Sequence, residues 1–147
     1  MPFVDQIAGY KECTGFWSGW PSFHDSEILK LELNRCAPSY LIIHVFGGPK
    51  PTIGPRSDTR LASPPTDVVV TFVLEGIDDL DLADFSSQNL IFGLCLEKES
   101  DIFRITMDPC FGMAGTISAT NVTIEFSPVT NNIKDVMLLL RKVNRKC

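Results

Sequence analysis

Residues 16–34 read FWSGWPSFHDSEILKLELN. In the second half of this stretch Leu29, Leu31 and Leu33 alternate with Lys30, Glu32 and Asn34. That period of two implies a strand with one apolar and one wet face. The first half holds both tryptophans, Trp17 and Trp20, then Pro21, Phe23, the pair His24-Asp25, and Glu27. An aromatic loop that feeds a half-buried strand is either a packed structural corner or a functional site. Trp17, Trp20, Phe23, His24, Asp25 and Glu27 are read here as a mainly structural corner.

Outward from this stretch, residues 40–46 form a second apolar run. Nearly every position is hydrophobic, so both faces of that strand should be covered, and the short gap before it suggests a hairpin. Further strand patterns lie at residues 68–75, 79–83, 90–96, 103–107, 116–119 and 122–126. Gly76, the charged run 97–101, Asp108-Pro109 and residues 112–115 separate them. Cys95, inside an apolar pattern, reads as a buried thiol. Phe3, Ile7 and Tyr10 share one face of a short helix over residues 2–10, with Gly15 and Gly19 breaking regularity after it. Beyond Pro128, Ile133, Val136, Met137, Leu140 and Val143 fall at helical spacing, with Asn131 or Asn132 as cap.

No helices alternate with the strands. The expected fold is therefore mainly β (α+β): an antiparallel β-sandwich or strongly curved sheet of about eight short strands, with short N- and C-terminal helices. The 147 residues suit a single domain. The Gly/Pro-rich segment 47–66 is read as a surface loop within it.

The formal net charge is −5, which argues against nucleic-acid binding, since that needs cationic surface to displace phosphate counterions. No apolar run is long enough to span a bilayer. The five cysteines include no C-x-x-C pair. With no signal-peptide pattern at the start, this favours a reducing cytoplasm.

His24, Asp25 and Glu27, joined by His44, are the candidate metal or catalytic set. With two histidines in all and no cysteine pair, neither a metal nor a cofactor is expected. No nucleophile elbow or phosphate loop occurs. Trp17, Trp20 and Phe23 could instead line the mouth of a β-barrel that holds an apolar ligand. Glu75, Asp78, Asp79, Asp81 and Asp84 concentrate negative charge, either as a solvated sheet edge or as a docking patch for a cationic partner.

The piece WPSFHDSEI at residues 20–28, followed by alternating leucines, resembles the bacterial immunity proteins of polymorphic toxin systems, in particular the immunity protein 50 family. The resemblance continues at residues 72–76, at Asp79-Leu80-Asp81-Leu82 with Phe85, and at residues 88–91. It recurs more loosely at Phe111-Gly112 and Gly115-Thr116. What it implies is a cytoplasmic protein, not an enzyme, that binds and neutralises a cognate toxin domain; nucleic acid and membrane are not expected as partners on the charge and apolar runs above.

Overall fold

Val68, Val70, Phe72 and Leu74 alternate with more polar or outward residues. They and their counterparts on five other strands turn inward and fill one closed interior. The computed structural model describes residues 2–47 and 67–129. Its elements are a 3-10 turn at Pro2–Gln6, α1 (Tyr10–Trp17), β1 (Glu27–Glu32), β2 (Ser39–Val45), β3 (Val68–Ala83), β4 (Leu90–Glu99), β5 (Ile102–Phe111) and β6 (Ala114–Pro128). The fold is mainly β, as the alternation implied.

The strands close in the order β1-β2-β3-β6-β5-β4, every neighbouring pair antiparallel. Two three-stranded meanders, β1 to β3 and β4 to β6, are joined along the long β3–β6 seam. The other seam is narrow. β1 meets β4 in register only at Glu27 opposite Leu90. Three backbone bonds extend it: Asp25 N to Ile91 O and Ile28 N to Asn89 O at 2.8 Å, and Ile91 N to Ser26 O at 2.9 Å.

The sheet is strongly curved, as one of the two expected arrangements has it, to the point of closing on itself rather than forming a sandwich, and among the described residues its strands number six rather than about eight. The expected runs 68–75 and 79–83 are one strand, β3, because Gly76 carries the chain through a left-handed kink (φ 61°) without breaking the ladder. A Cβ there would sit 2.2 Å from Thr120 Oγ1, and that hydroxyl donates to Glu75 O at 3.1 Å. Likewise 116–119 and 122–126 merge into β6.

β1 also departs from its simple alternation. The register shifts between Ile28 and Lys30, so Leu29 is the extra residue of a bulge and Ile28 becomes the fully buried side chain. Leu31 still packs on the core, whereas Leu33 lies past the strand end and is half exposed. The hairpin of β1 with β2 is as expected, and residues 41–45 of β2 are all buried. Cys95 is exposed, not buried: Leu94 and Leu96 take the inward positions and turn it out.

The N-terminal segment closes one side of the barrel. Ala8 bridges Thr123 of β6, and Ile124 N donates to Ala8 O at 2.8 Å. Gly9 permits this approach: it has φ 85°, and a Cβ would lie 1.8 Å from Ile124 O. The helix begins after it, later than the residues 2–10 expected, and runs through Gly15 until Ser18 turns left-handed and Gly19 N bonds Thr14 O at 2.8 Å. Residues 48–66 and the expected C-terminal helix lie outside the described residues. Among the described residues no helix is long and apolar enough to cross a membrane.

Candidate functional site

The stretch at residues 16–34 divides into an inner and an outer part. Phe23 is buried and Trp20 half-buried. Their rings lie 5.6 Å apart, and both reach Phe72 in the barrel interior, at 6.0 and 6.5 Å. Trp20 also stacks on Tyr10 at 5.5 Å and donates its indole N–H to Leu94 O at 3.4 Å. Trp17 and Phe16 pack on Phe126. These aromatics fasten α1 to the barrel and stop its interior. They pack as a structural corner on a core that includes Leu41, Phe72, Leu74, Ile105 and Met107, and the pocket beside Trp20, lined by Tyr10, Leu94, Cys95 and Leu96, is small, about 130 Å³.

His24 and Asp25 are not part of that packing. Both side chains are exposed, with His24 Nδ1 3.0 Å from Asp25 Oδ2. What the HD turn contributes to the fold is backbone. Asp25 adopts φ 64°, Ser26 N bonds Phe23 O at 3.0 Å, and the strand then enters its seam with β4. His44 does not join His24. It is buried, with Nε2 3.0 Å from Asp67 Oδ2, while Asp67 Oδ1 accepts the Gly47 amide at 2.8 Å. That carboxylate ties the end of β2 to the start of β3. Glu27 faces His44 across the β1–β2 ladder, so the set His24, Asp25, Glu27 and His44 is not assembled at one point. Among the described residues, the Ser26 hydroxyl and His44 Nδ1 are buried without a hydrogen-bond partner.

A different residue organises this end of the barrel. Asn89 is buried, and its Oδ1 accepts the Ser86 and Met113 amides, each at 2.9 Å. Its Nδ2 donates to Ser86 O at 2.9 Å. With the Ile28–Asn89 backbone bond, one side chain and its own carbonyl hold three segments together: β1, the β3–β4 connection and the β5–β6 turn. Gly112 makes room for it, since a Cβ there would lie 2.6 Å from Asn89 Oδ1. The sequence pieces at residues 20–28, 88–91 and 111–112, the last with its neighbour Met113, thus meet in space, and much of what they share is a backbone tie.

Around this tie three large apolar side chains face solvent: Phe85 at 69%, Phe92 at 59% and Phe111 at 56% exposure. Phe111 stands opposite Leu90 in the β4–β5 ladder. Phe92 packs edge-on against the His24 ring at 5.0 Å. The ladder slips by one residue on either side of Ile91, between Leu90 and Gly93, and Phe92 sits in that irregular stretch and points outward. Phe85 lines a shallow groove with Leu31, Leu82, Ala83, Asp84 and Met113. Cys110 is exposed beside this surface, and its Sγ lies 3.5 Å from Ile91 O.

The acidic set is spread along the distal half of β3. Glu75, Asp78, Asp79, Asp81 and Asp84 are all exposed. Among the described residues none of them is in an ion pair. Asp78 and Asp79 border a second groove with Glu99, Ser100 and Arg104. Beyond Leu74 this half of β3 pairs with β6 but not with β2, and such a half-paired strand is where charge discourages unwanted strand addition.

Comparison with protein-family models, with curated proteins and with solved structures finds no match to this chain.

Proposed function

We propose that this chain is an immunity-type protein that binds and neutralises a cognate toxin domain of a bacterial polymorphic toxin system, acting in the cytoplasm by binding rather than by catalysis. The observation that carries the reading is the exposed rim of Phe85, Phe92 and Phe111 around a rigid tie. Folding gains nothing from leaving three phenylalanines in water. A protein partner gains from each of them, because large aromatic anchors supply much of the energy of an interface. Asp84 and Asp108 are exposed next to these rings in sequence or ladder, so the surface suits a partner with apolar hollows and cationic edges. The family resemblance of the sequence pieces names the kind of partner. A toxin that acts on nucleic acid carries a cationic surface of its own, which an acidic inhibitor can cover.

The acidic strand half and the aromatic rim then have separate tasks. Carboxylates steer the encounter and lose effect as salt rises, while the phenylalanines slow release. The test is binding of the purified chain to the toxin domain encoded by the adjoining gene, with the association rate read at low and high salt. Asp79→Asn with Asp81→Asn should slow association chiefly at low salt. Phe92→Ala with Phe111→Ala should speed release by roughly tenfold or more, the cost of losing interface anchors. Absence of any binding to the neighbouring toxin domain removes the reading. Binding that ignores the phenylalanine substitutions removes the rim from it.

A further inference from the structure

We propose that His24, Asp25 and Cys110 form a binding site for one divalent metal ion of the zinc class, a site separate from any protein-binding role. One nitrogen, one carboxylate oxygen and one sulfur from these residues all lie within 4.8 Å of one another. Zinc bonds of about 2.0–2.1 Å to nitrogen and oxygen and about 2.3 Å to sulfur put these tetrahedral ligand atoms roughly 3.3–3.6 Å apart. His24 Nδ1 and Asp25 Oδ2 are already at 3.0 Å. Bringing the three donors onto one ion therefore needs side-chain shifts of about an ångström, and all three side chains are exposed, with room for shifts of that size.

The backbone beneath the donors is fixed around Ile91. Asp25 N donates to Ile91 O at 2.8 Å, and Cys110 is held between the ladder pairs Leu90–Phe111 and Ile91–Pro109; its thiol, 3.5 Å from Ile91 O, gives up that contact when it ligates as thiolate. The HD turn and the end of β5 are thereby pinned to the same residue of β4. Phe92 packs against the His24 ring at 5.0 Å and 64°, which restricts its swing. A ligand set anchored at both ends in this way loses little freedom when the ion arrives.

The donor set selects the ion. A thiolate is a poor ligand for magnesium or calcium, whereas mixed nitrogen, oxygen and sulfur donors suit zinc. Three protein ligands leave one coordination position open to water or to a donor from another molecule. A cysteine–histidine nucleophile pair is the rival use of these side chains. In that case the thiol should bond the imidazole, but its partner here is the Ile91 carbonyl.

The experiment is zinc titration of the reduced full chain in competition with a chromophoric chelator, repeated with cobalt. The expected result is about one equivalent of zinc and, with cobalt, a sulfur-to-metal charge-transfer band. His24→Ala, Asp25→Asn and Cys110→Ser should each weaken binding by roughly tenfold or more, as loss of a direct ligand costs at least as much as loss of the groups that orient one. Cys36→Ser and Cys95→Ser, at exposed cysteines outside this cluster, should leave it unchanged. Thermal melts of the five variants are expected to match the parent, because every substituted side chain is exposed. No zinc uptake at micromolar concentrations overturns the proposal, as does uptake that survives His24→Ala and Asp25→Asn, or a cobalt complex without the sulfur band.

Discussion

Replacing Asn89 with alanine should be among the most damaging single changes at a polar position of this chain. The substitution removes three side-chain hydrogen bonds of 2.9 Å at once. Each is worth about 1 kcal/mol net, and the Met113 amide, in a buried setting, is left without an acceptor at an added cost of about 1 kcal/mol. The sum is about 3–4 kcal/mol, a large part of the stability of an ordinary domain. With a urea m-value of about 1.5 kcal/mol/M, the unfolding midpoint should fall by roughly 2 M. Urea unfolding followed by the fluorescence of half-buried Trp17 and Trp20 reads this directly. Gln88→Ala, at the exposed neighbour, should stay within about 0.5 kcal/mol of the parent. If Asn89→Ala loses less than about 1 kcal/mol, the three segments do not depend on that side chain and the tie is wrongly identified.

Other substitutions separate the inner and outer halves of residues 16–34. Phe23→Ala, which empties a core position, should cost about 3–5 kcal/mol, while His24→Ala and Asp25→Asn, the latter keeping a side chain that tolerates the left-handed φ of 64°, should stay within about 0.5 kcal/mol in thermal or urea unfolding. Gly115→Ala should lose more than about 2 kcal/mol, since φ is 134° and the new Cβ would lie 1.8 Å from Asp81 O across the β3–β6 seam. Cys13 is fully buried, and that burial pushes its thiol from 9.0 up to about 11. The unfolded chain releases this proton first, so its contribution to stability is intact below about pH 9 and declines toward pH 11, by about 1.4 kcal/mol per pH unit. Urea melts across that range should show the decline in the parent and its absence in Cys13→Ala; equal slopes would contradict the assignment.

The residues themselves explain which parts of this structure were legible beforehand. Strand positions followed from period-two alternation, because the inward face must be apolar wherever a sheet covers a core. The outward turn of Cys95 was missed: the apolar run around it suggested burial, although Leu94 and Leu96 on either side take the inward positions. Closure was not legible either. β1 and β4 share one in-register pair, and no local pattern announces a seam held by so few contacts. The bulge at Leu29 was hidden because Ile28 and Leu29 are equally apolar, so either could have been the buried one. The merged strands were hidden for the opposite reason: Gly76 is an ordinary stop signal, and only Thr120 on the neighbouring strand makes it a kink. Cys110 joins His24 and Asp25 through the β4–β5 pairing, so spacing along the chain carried no trace of it.

The pieces that carry the family resemblance contain two kinds of residue, and the fold sorts them. Phe23, Ser26, Ile28, Asn89, Ile91 and Gly112 are buried or tightly enclosed, and they hold β1, β4 and the β5–β6 turn to one another. Any protein with this barrel closure would need groups able to do the same, whatever it binds. His24, Asp25, Phe85 and Phe111 in those pieces, with Phe92 and Cys110 one residue outside them, face water, where the fold does not require them. Loss of function from a change in the first group follows from a loosened barrel and says nothing about binding. Only a change in the second group that leaves unfolding untouched bears on a partner or an ion. Within that group the two proposals divide cleanly. Phe85 and Phe111 can act on a protein surface but not on a metal, and Cys110 is required for the ion but not for apolar contact. Phe92 alone touches both, through its edge-on packing against His24.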